Sequence, residues 1–379
     1  MVVQRHIKKI IEQYLYKGKT IIIYGARQVG KTTLVGHLLE GSGSKILYLN
    51  GDESDVRELL SNLNTTKLKP VIGNAQVLVL DEAQRIESVG LVLKIIHDNF
   101  KDVQVIATGS SSFDLSNKIQ EPMTGKKLEF MLYPFSFAEM CGHFGFLEEK
   151  RMLEHRLIFG YYPDITLNVG NEVKLLKSLT TSYLYKDLLM LDTIKKPVIL
   201  EKILKALALQ VGSEVSYNEL AQLLDSDKGT IEKYIDLLEK ANVIFRLSSF
   251  SRNIRNEIKR NRKIYFNDNG IRNAVLGNFT PLSSRTDKGA LWENFIISER
   301  RKYIENNALE VQSWFWRTTQ QQEIDYIEER NNKLYAWEFK WNPTRKSFLS
   351  KTFSRAYPET EYRVISPGNI EEFLLRAKD

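Results

Sequence analysis

The chain has 379 residues but only one cysteine, nine prolines and no long apolar run. The single cysteine, Cys141, excludes a disulfide framework and is typical of a reducing cytosol, so we expect a cytoplasmic protein. No stretch approaches the roughly 18 apolar residues of a transmembrane helix, and we expect no membrane partner. The N-terminal residues mix charged and apolar side chains, which predicts an amphipathic helix and not a signal peptide.

Charged and apolar residues are present in ordinary proportions. Hydrophobic residues make up 42% of the chain and charged residues 27%, which is typical of a soluble globular protein. The length allows two or three domains. The net charge of +7 permits a nucleic-acid partner without requiring one. Evidence about function must therefore come from local motifs.

The most informative motif follows a short β-branched run, Thr20–Tyr24, which predicts a buried strand. The pattern Gly25-x4-Gly30-Lys31-Thr32 has the spacing of a phosphate-binding loop, in which glycines let successive N–H groups surround an anion. Lys31 is expected to reach the β- and γ-phosphates of ATP, and Thr32 to bind Mg²⁺ through its hydroxyl. The alternative is a strand–helix turn without a ligand. The residues expected at the nucleotide are Gly25, Ala26, Arg27, Gln28, Val29, Gly30, Lys31, Thr32 and Thr33.

A second motif, at residues 76–82, is an apolar run that ends in two carboxylates. It predicts a strand of the Walker B type, in which Asp81 binds Mg²⁺ and Glu82 polarises the attacking water as general base. Without the phosphate-binding loop, the same pair would be interpreted as acidic residues at a helix N-terminus. A further strand is predicted at residues 102–108. Beyond it, Ser110 is expected to sense the γ-phosphate, with a plain turn as the alternative.

The middle of the chain is mostly helical in pattern. Residues 136–197 predict a helical lid or connector, and residues 198–263 predict a winged helix in which Ser216 caps the first helix of a helix-turn-helix. The outward face of the second helix mixes lysines with acidic residues, which is unfavourable for phosphate contacts. A structural or protein-docking role is therefore favoured over base-specific DNA recognition. The most basic stretch, residues 252–263, predicts either a solvated loop or a segment that contacts a nucleic-acid backbone.

Near the C-terminus the pattern predicts a helix that carries Glu293, followed by three strands. The strands are expected at residues 311–317, 323–328 and 334–340. An asparagine pair between the last two strands suits a two-residue hairpin turn, because asparagine tolerates positive φ. A hairpin centred on that turn places Asp325 opposite Glu338.

This register gathers charged residues on one face of the hairpin, because side chains alternate along a strand. The face is expected to carry three carboxylates and one ammonium group, from Glu323, Asp325, Glu338 and Lys340. Tyr335, Trp337 and Phe339 are expected to point the other way, into a core. A cross-strand set of salt bridges on a solvated face is the alternative to a functional site.

The N-terminal motifs resemble those of an AAA+-type ATPase family of bacteria and archaea, whose C-terminal domain is largely uncharacterised. The stretches that carry the resemblance are GARQVGKTT, VLVLDEAQRI, ATGSSS and TGKKLEFMLYPFSFAEM. The family has Gly-Arg where this chain has Gly125-Lys126. Lysine keeps the charge but lacks the bidentate fork of arginine, so no arginine-finger role is expected of Lys126. A turn at Gly160-Tyr161-Tyr162-Pro163-Asp164 also resembles the family, and for it we expect a structural role.

The C-terminal pattern resembles the PD-(D/E)xK nuclease fold. The resemblance implies that Glu293, as the helical acid, belongs with the ligands Asp325 and Glu338 to a nuclease Mg²⁺ site, and that Lys340 is catalytic by orienting or activating the attacking water. Carboxylate oxygens are suitable ligands for Mg²⁺, and the metal would stabilise charge on a scissile phosphate.

The whole sequence therefore predicts an α/β protein in four parts. We expect an AAA+-like P-loop NTPase with a parallel sheet at 1–135, a helical lid or connector at 136–197, a winged helix at 198–263 and a restriction-endonuclease-like α/β domain at 264–379. We expect Mg-dependent ATP hydrolysis, with Lys31 and Glu82 catalytic, coupled to a DNA-acting nuclease. The alternative is an ATP-switched regulator or scaffold whose nuclease-like domain binds nucleic acid or protein without cutting. The sequence leaves open the pathway, a homo-oligomeric state, the choice of DNA, RNA or protein partner, and any communication between the two sites.

Overall fold

The computed structural model describes residues 2–61, 64–109, 123–181, 194, 196–251, 262–344 and 347–375. The chain forms two compact units, Met1–Pro134 with Lys240–Asn242, and Phe135–Glu239 with Val243–Asp379. The longer segment of the first unit ends at Pro134, one residue before the expected boundary at 135. None of the helices in the described part of the chain has the length and apolar character needed to span a bilayer.

The first unit is built on a parallel β-sheet. Its strands are β1 Thr20–Tyr24, β2 Ile46–Asn50, β3 Val77–Asp81, β4 Gln104–Gly109 and β5 Lys127–Met131, in the order β2-β3-β4-β1-β5. Its helices are α1 Ile7–Glu12, α2 Lys31–Leu39, α3 Ser54–Leu60, α4 Thr65–Ile72 and α5 Val89–Asn99. Strands β1, β3 and β4 are buried along their whole length, which explains their continuous apolar runs. Because the strands are parallel, the residues that follow β1, β3 and β4 meet at one edge of the sheet.

The second unit begins with helices and continues into a small antiparallel sheet. The helices are α6 Phe137–Phe144, α7 Phe146–Arg151, α8 Leu153–Phe159, α9 Pro163–Leu167, α10 Glu172–Leu179, α11 Pro197–Leu209, α12 Tyr217–Leu223 and α13 Lys228–Lys240. The strands are β6 Glu214–Val215, β7 Ile244–Leu247 and β8 Arg262–Phe266, in the order β6-β8-β7. Ser216 caps α12 as expected, because its side chain accepts a hydrogen bond from the N–H of Glu219.

The expected domain boundary between residues 263 and 264 is wrong, because it cuts strand β8. Arg262 through Phe266 form one strand that pairs with β6 on one side and with β7 on the other. A run of basic residues followed by an apolar run suggested a linker and a new domain. Ladder hydrogen bonds to two neighbouring strands instead join both runs into a single element.

The rest of the second unit is a mixed sheet with helices before and after it. The elements are α14 Asn269–Leu276, α15 Lys288–Asn306, β9 Gln312–Arg317, β10 Glu323–Arg330, β11 Lys333–Phe339, α16 Lys351–Ala356, β12 Glu361–Ile365 and α17 Glu371–Leu374. The sheet order is β12-β11-β10-β9, and only β11 and β12 pair in parallel among the described strands of this sheet. Tyr326 pairs with Trp337, which confirms the predicted hairpin register. Asn331 and Asn332 form its turn with φ values of 50° and 60°.

The turn at Gly160 is a packing site between two parts of the second unit. Gly160 has φ +72°, and a Cβ at this position would lie 2.0 Å from Oδ1 of Asp268. The N–H of Tyr161 donates a hydrogen bond of 2.6 Å to Oδ2 of the same aspartate. A Cβ on Gly270 would lie 2.1 Å from the carbonyl oxygen of Phe159. Only glycine allows such close backbone approach, which supports the expected structural role of this motif.

Candidate functional site

The phosphate-binding loop joins β1 to α2 and contains the residues predicted from position 25 to position 33. Gly30 precedes α2 with φ +90°, a left-handed conformation that favours glycine. Gly25 is required for a second reason, because a Cβ there would lie 2.2 Å from the carbonyl oxygen of Leu132. Helix α2 begins at Lys31, so the N–H groups of its first turn are free of partners within the helix and face the loop.

Lys31 is a buried cation at the centre of this loop. It is 5% exposed, and its Nζ donates to the carbonyl oxygens of Gly25 and Ala26, each at 3.0 Å. Burial lowers the pKa of Lys31, although the nearby carboxylates of Glu82 and Asp81 act in the opposite direction. A buried charge is stable only when it is compensated, and a bound phosphate would supply an opposite charge to this ammonium group.

Asp81 accepts hydrogen bonds from three hydroxyl groups. Thr32 Oγ1 donates to Oδ2 at 2.9 Å, Tyr48 donates to the same oxygen, and Thr108 donates to Oδ1. Burial favours the neutral acid, but the hydroxyls of Thr108, Tyr48 and Thr32 outweigh it, so the pKa of Asp81 lies below its ordinary value. The two residues predicted to share Mg²⁺, Thr32 and Asp81, are therefore adjacent, and the aspartate is held ionised.

Glu82 has an unusual backbone conformation, with φ 49° and ψ 41°. Such left-handed conformations cost non-glycine residues of the order of 1–3 kcal/mol and concentrate at functional sites. The N–H of Glu82 donates to Thr108 Oγ1 at 3.3 Å and lies 3.2 Å from Asp81 Oδ1. Its carboxylate accepts a hydrogen bond from Gln84. The backbone is therefore held in place next to Asp81, as a predicted general base requires.

Three residues near this site were missed in the sequence analysis. Thr108 and Tyr48 bind Asp81, and the guanidinium of Arg5 donates to the carbonyl oxygens of Val29 at 2.8 Å and Tyr133 at 2.6 Å. Thr108 had a usable signal, since it is a polar residue at the end of a buried strand. Tyr48 and Arg5 had none, because each reaches the site only through tertiary folding.

Two other expectations concern residues at the margin of the site. Ser110, predicted to sense the γ-phosphate, lies outside the described residues. Lys126, which stands where the family has arginine, forms a salt bridge with Asp98, with Nζ–O distances of 2.6 and 2.8 Å. Lys126 is thus paired with a surface carboxylate.

The predicted residues of the C-terminal site do come together. Lys340 Nζ donates to Glu338 Oε1 at 2.7 Å, and Asp325 Oδ2 accepts from the N–H of Phe339 at 2.8 Å. Burial, together with the nearby carboxylates of Glu293 and Glu338, raises the pKa of Asp325 well above its ordinary value. The hairpin therefore gathers these groups as the register predicted, with Asp325 buried and with Glu338 and Lys340 partly buried.

The same cluster contains Lys263, which the sequence pattern had placed in the basic stretch before it. Lys263 was expected to belong to the basic stretch at residues 252–263, as part of a solvated or phosphate-contacting segment. Residues 252–261 lie outside the described residues, but the expectation is wrong for Lys263, which is 1% exposed. Its Nζ lies 3.0 Å from Glu293 Oε1 and 2.5 Å from Glu323 Oε1. Burial lowers the pKa of Lys263, but these carboxylates outweigh it and raise the pKa above its ordinary value.

The metal site predicted from Glu293, Asp325 and Glu338 does not fit this arrangement well. Among the residues that the structure describes, no group of three or more His, Cys, Asp or Glu side chains is arranged to hold a metal ion. Glu293 already accepts hydrogen bonds from Lys263 and, at 2.7 Å, from the hydroxyl of Tyr265. The carboxylate oxygens that a divalent ion would need as ligands are engaged by ammonium, hydroxyl and main-chain N–H groups of the protein.

The fold and the first site together define the class of the N-terminal unit. A parallel sheet with the order β2-β3-β4-β1-β5 carries a phosphate-binding loop after β1 and an Asp-Glu pair at the end of β3. This unit is an AAA-type P-loop ATPase domain. A family described as an AAA domain matches residues 17–141, which agrees with that assignment. Domains of unknown function match the remainder, DUF8612 at residues 150–282 and DUF4143 at residues 288–373.

Relatives along most of the chain come from bacteria and archaea. The chain is 26% identical over 338 residues to the uncharacterized protein Rv2008c of Mycobacterium tuberculosis, covering 88% of this chain and 73% of the relative. It is also 26% identical over 374 residues to the uncharacterized protein MJ1544 of Methanocaldococcus jannaschii, covering 92% and 81%. Both similarities extend along most of this chain, and both relatives are uncharacterized.

Solved structures show only a distant likeness. The Thermotoga maritima RuvB Holliday junction branch migration motor aligns with a TM-score of 0.33 and 17% identity, over 63% of this chain and 88% of that one. The Aeropyrum pernix ORC1 protein in complex with DNA aligns with a TM-score of 0.28 and 13% identity, over 73% and 93%. At these TM-scores the likeness supports no inference about substrate or partner.

Proposed function

We propose that the N-terminal unit binds ATP together with Mg²⁺ and hydrolyses the nucleotide. The observation that carries the proposal is the buried ammonium group of Lys31, the first residue of α2 after the loop. It lies next to Thr32, whose hydroxyl donates a hydrogen bond to Asp81. Main-chain N–H groups and Lys31 would hold the phosphates, while Thr32 and Asp81 would hold the metal. These residues fit the ligand in both charge and position.

The chain itself would contribute a general base beside the phosphates. When bound, Mg²⁺ neutralises charge on the phosphate oxygens. The carboxylate of Glu82 would accept a proton from the attacking water, and its backbone is held to Asp81 and Thr108 by the bonds described above. Ser110 remains the predicted contact to the γ-phosphate.

Two pairs of variants test this proposal. Lys31→Ala should abolish binding of Mg-ATP in a calorimetric titration, whereas Lys45→Ala, at an exposed lysine, should bind normally. Glu82→Gln should retain binding but lose at least about a hundredfold in turnover, the usual contribution of a general base. Glu87→Gln, at an exposed glutamate in the same segment, is its control. Unchanged phosphate release by Glu82→Gln would remove the assignment of the base.

For the C-terminal part we propose the second of the two functions considered above, a nucleic-acid- or protein-binding module that does not cut. The element order α11, β6, α12, α13, β7, β8 supports a winged helix, and the mixed charge of α13 disfavours base-specific DNA contacts. The buried Lys263 within the carboxylate cluster is the observation that favours a module without cleavage.

A metal-dependent nuclease is the competing hypothesis, since Glu293, Asp325, Glu338 and Lys340 are gathered in one place. Plasmid and oligonucleotide cleavage with Mg²⁺ or Mn²⁺ separates the two. Cutting that disappears in both Asp325→Ala and Lys340→Ala would establish the nuclease. An absence of metal-dependent cutting, with ATP turnover intact, supports the binding module. Light scattering with and without Mg-ATP tests the open question of a homo-oligomer.

A further inference from the structure

The carboxylate cluster of the second unit receives a lysine from a neighbouring sheet. Lys263 lies on β8, where it pairs with Glu214 of β6 and Leu247 of β7. The carboxylates that it contacts come from elsewhere, Glu293 from α15 and Glu323 from the first position of β10. Three separate elements therefore meet at one ammonium group.

We infer that Lys263 is the resident cation of this cluster and takes the place that the nuclease resemblance assigns to a divalent metal. The second unit then holds its acidic residues together by an internal ion pair and binds no Mg²⁺ or Mn²⁺ at this position. The inference concerns a different unit from the proposed ATPase site, and it stands or falls independently of that proposal.

Each of the four carboxylates in the cluster already has a hydrogen-bond donor or cation of its own. Lys263 forms ion pairs with Glu293 and Glu323. Lys340 Nζ donates a hydrogen bond to Glu338 at 2.7 Å, and the N–H of Phe339 donates one to Asp325 at 2.8 Å. A metal ion would have to displace these donors. Its double positive charge would also lie within a few ångströms of a buried ammonium, a like-charge contact that low-dielectric surroundings make unfavourable.

The ammonium of Lys263 also has no easy alternative position. Its side chain is 2% exposed, and its Nζ lies 5.5 Å from the centre of the Phe315 ring. The backbone is held on both sides by β6 and β7. Moving the group into solvent would take the ammonium away from two half-buried glutamates, which is the costly way to break an ion pair.

The hydroxyl of Tyr265 contacts the same carboxylate, Glu293, as Lys263 does. It lies two residues after Lys263 on β8, so both side chains leave the same face of the strand. Its oxygen donates to Glu293 Oε1 at 2.7 Å, and the residue is fully buried. One strand thus directs an ammonium and a hydroxyl at the oxygen that the nuclease resemblance reserves for a metal.

Direct measurement of Mn²⁺ binding tests the inference. The full chain without nucleotide is titrated with MnCl₂ and the free ion is followed by electron paramagnetic resonance, in an Asp81→Asn background that removes the predicted metal ligand of the ATP site. We expect no bound Mn²⁺ at millimolar concentration in Asp81→Asn alone. Adding Lys263→Met should create a Mn²⁺ site whose affinity is at least about tenfold higher than that of Asp81→Asn alone. Adding Glu293→Gln should remove this site again.

The control is Lys333→Met, which deletes an equal charge from an exposed lysine paired with Glu361, and it should create no site. Tight Mn²⁺ binding by Asp81→Asn that Glu293→Gln abolishes would overturn the inference, because the metal would then coexist with Lys263. No gain of binding in a folded Lys263→Met protein would also overturn it. If Lys263→Met fails to fold, the Asp81→Asn titration with and without Glu293→Gln still decides the question.

Discussion

Replacing Thr108 by valine removes one hydroxyl group from the proposed nucleotide site with little change in side-chain shape. Thr108 is fully buried, donates to Asp81 Oδ1 and accepts from the N–H of Glu82 at 3.3 Å. Valine can form neither bond. The substitution therefore removes a contact from the predicted metal ligand Asp81 and from the predicted general base Glu82, while the phosphate-binding loop is left intact.

The expected loss follows from which bonds remain. A hydrogen bond to a charged group contributes roughly 1.5–3 kcal/mol. Asp81 keeps its bonds to Thr32 and Tyr48, and the N–H of Glu82 keeps a 3.2 Å contact with Asp81. We therefore expect the lower part of that range, about 1.5–2 kcal/mol in the free energy of unfolding. Misplacement of Glu82 should lower turnover by about tenfold, which corresponds to 1.4 kcal/mol of barrier.

Urea unfolding followed by circular dichroism gives the first quantity, and steady-state phosphate release with a Mg-ATP titration gives the second. Affinity for Mg-ATP should change less than turnover, because Lys31, Thr32 and Asp81 remain. Thr66→Val, at an exposed residue of α4, is the matched control and should stay within about 0.5 kcal/mol of wild type. A Thr108→Val protein with wild-type stability and turnover would refute the assignment of this hydroxyl.

Three further predictions concern the second unit. Gly160→Ala should cost at least about 3 kcal/mol or prevent folding, since its Cβ would collide with Asp268 at positive φ; a wild-type urea midpoint would contradict this. Glu328→Gln should lower the free energy of unfolding by about 3–5 kcal/mol, because it breaks a fully buried bidentate pair with Arg300 at 2.7 and 2.9 Å; an unchanged thermal midpoint would refute it. Hydrogen bonds from Arg285 and Arg272 outweigh the opposing effect of burial and lower the pKa of Asp287 from 3.8 to about 2. Stability from its ionised form is thus present above about pH 4 and lost toward pH 2, so Asp287→Asn should flatten the pH dependence of unfolding in that window, and equal slopes would argue against the pairing.

The residues of the proposed ATPase site could be selected from the sequence because the signals that mark them are local. A phosphate-binding loop needs a fixed spacing of glycines between one strand and one helix, and all of its parts lie within residues 20–39. The acidic pair at Asp81 needs only an apolar strand before it. The hairpin register could be predicted for the same reason, since an asparagine pair at positive φ sets the pairing of both flanking strands.

The environment of each site residue could not be predicted in this way. Tyr48 and Thr108 reach Asp81 only because parallel strands bring distant segments to one sheet edge. Arg5 has no local pattern that marks it as a contact of the phosphate-binding loop. A boundary placed at 263/264 failed because composition changes there while the strand does not.

From the sequence by itself came the phosphate-binding loop, the acidic pair after β3 and the gathering of Asp325 and Glu338, since each depends on spacing within one or two neighbouring elements. Only the tertiary structure decided which cation lies beside the neighbouring acids Glu293 and Glu323. Lys263 follows a run of cations along the chain, yet pairing of β8 with two strands buries it among carboxylates from α15 and β10. The physical reason is that the energy of a charge depends on what surrounds it in space, and neighbours in sequence do not determine those surroundings.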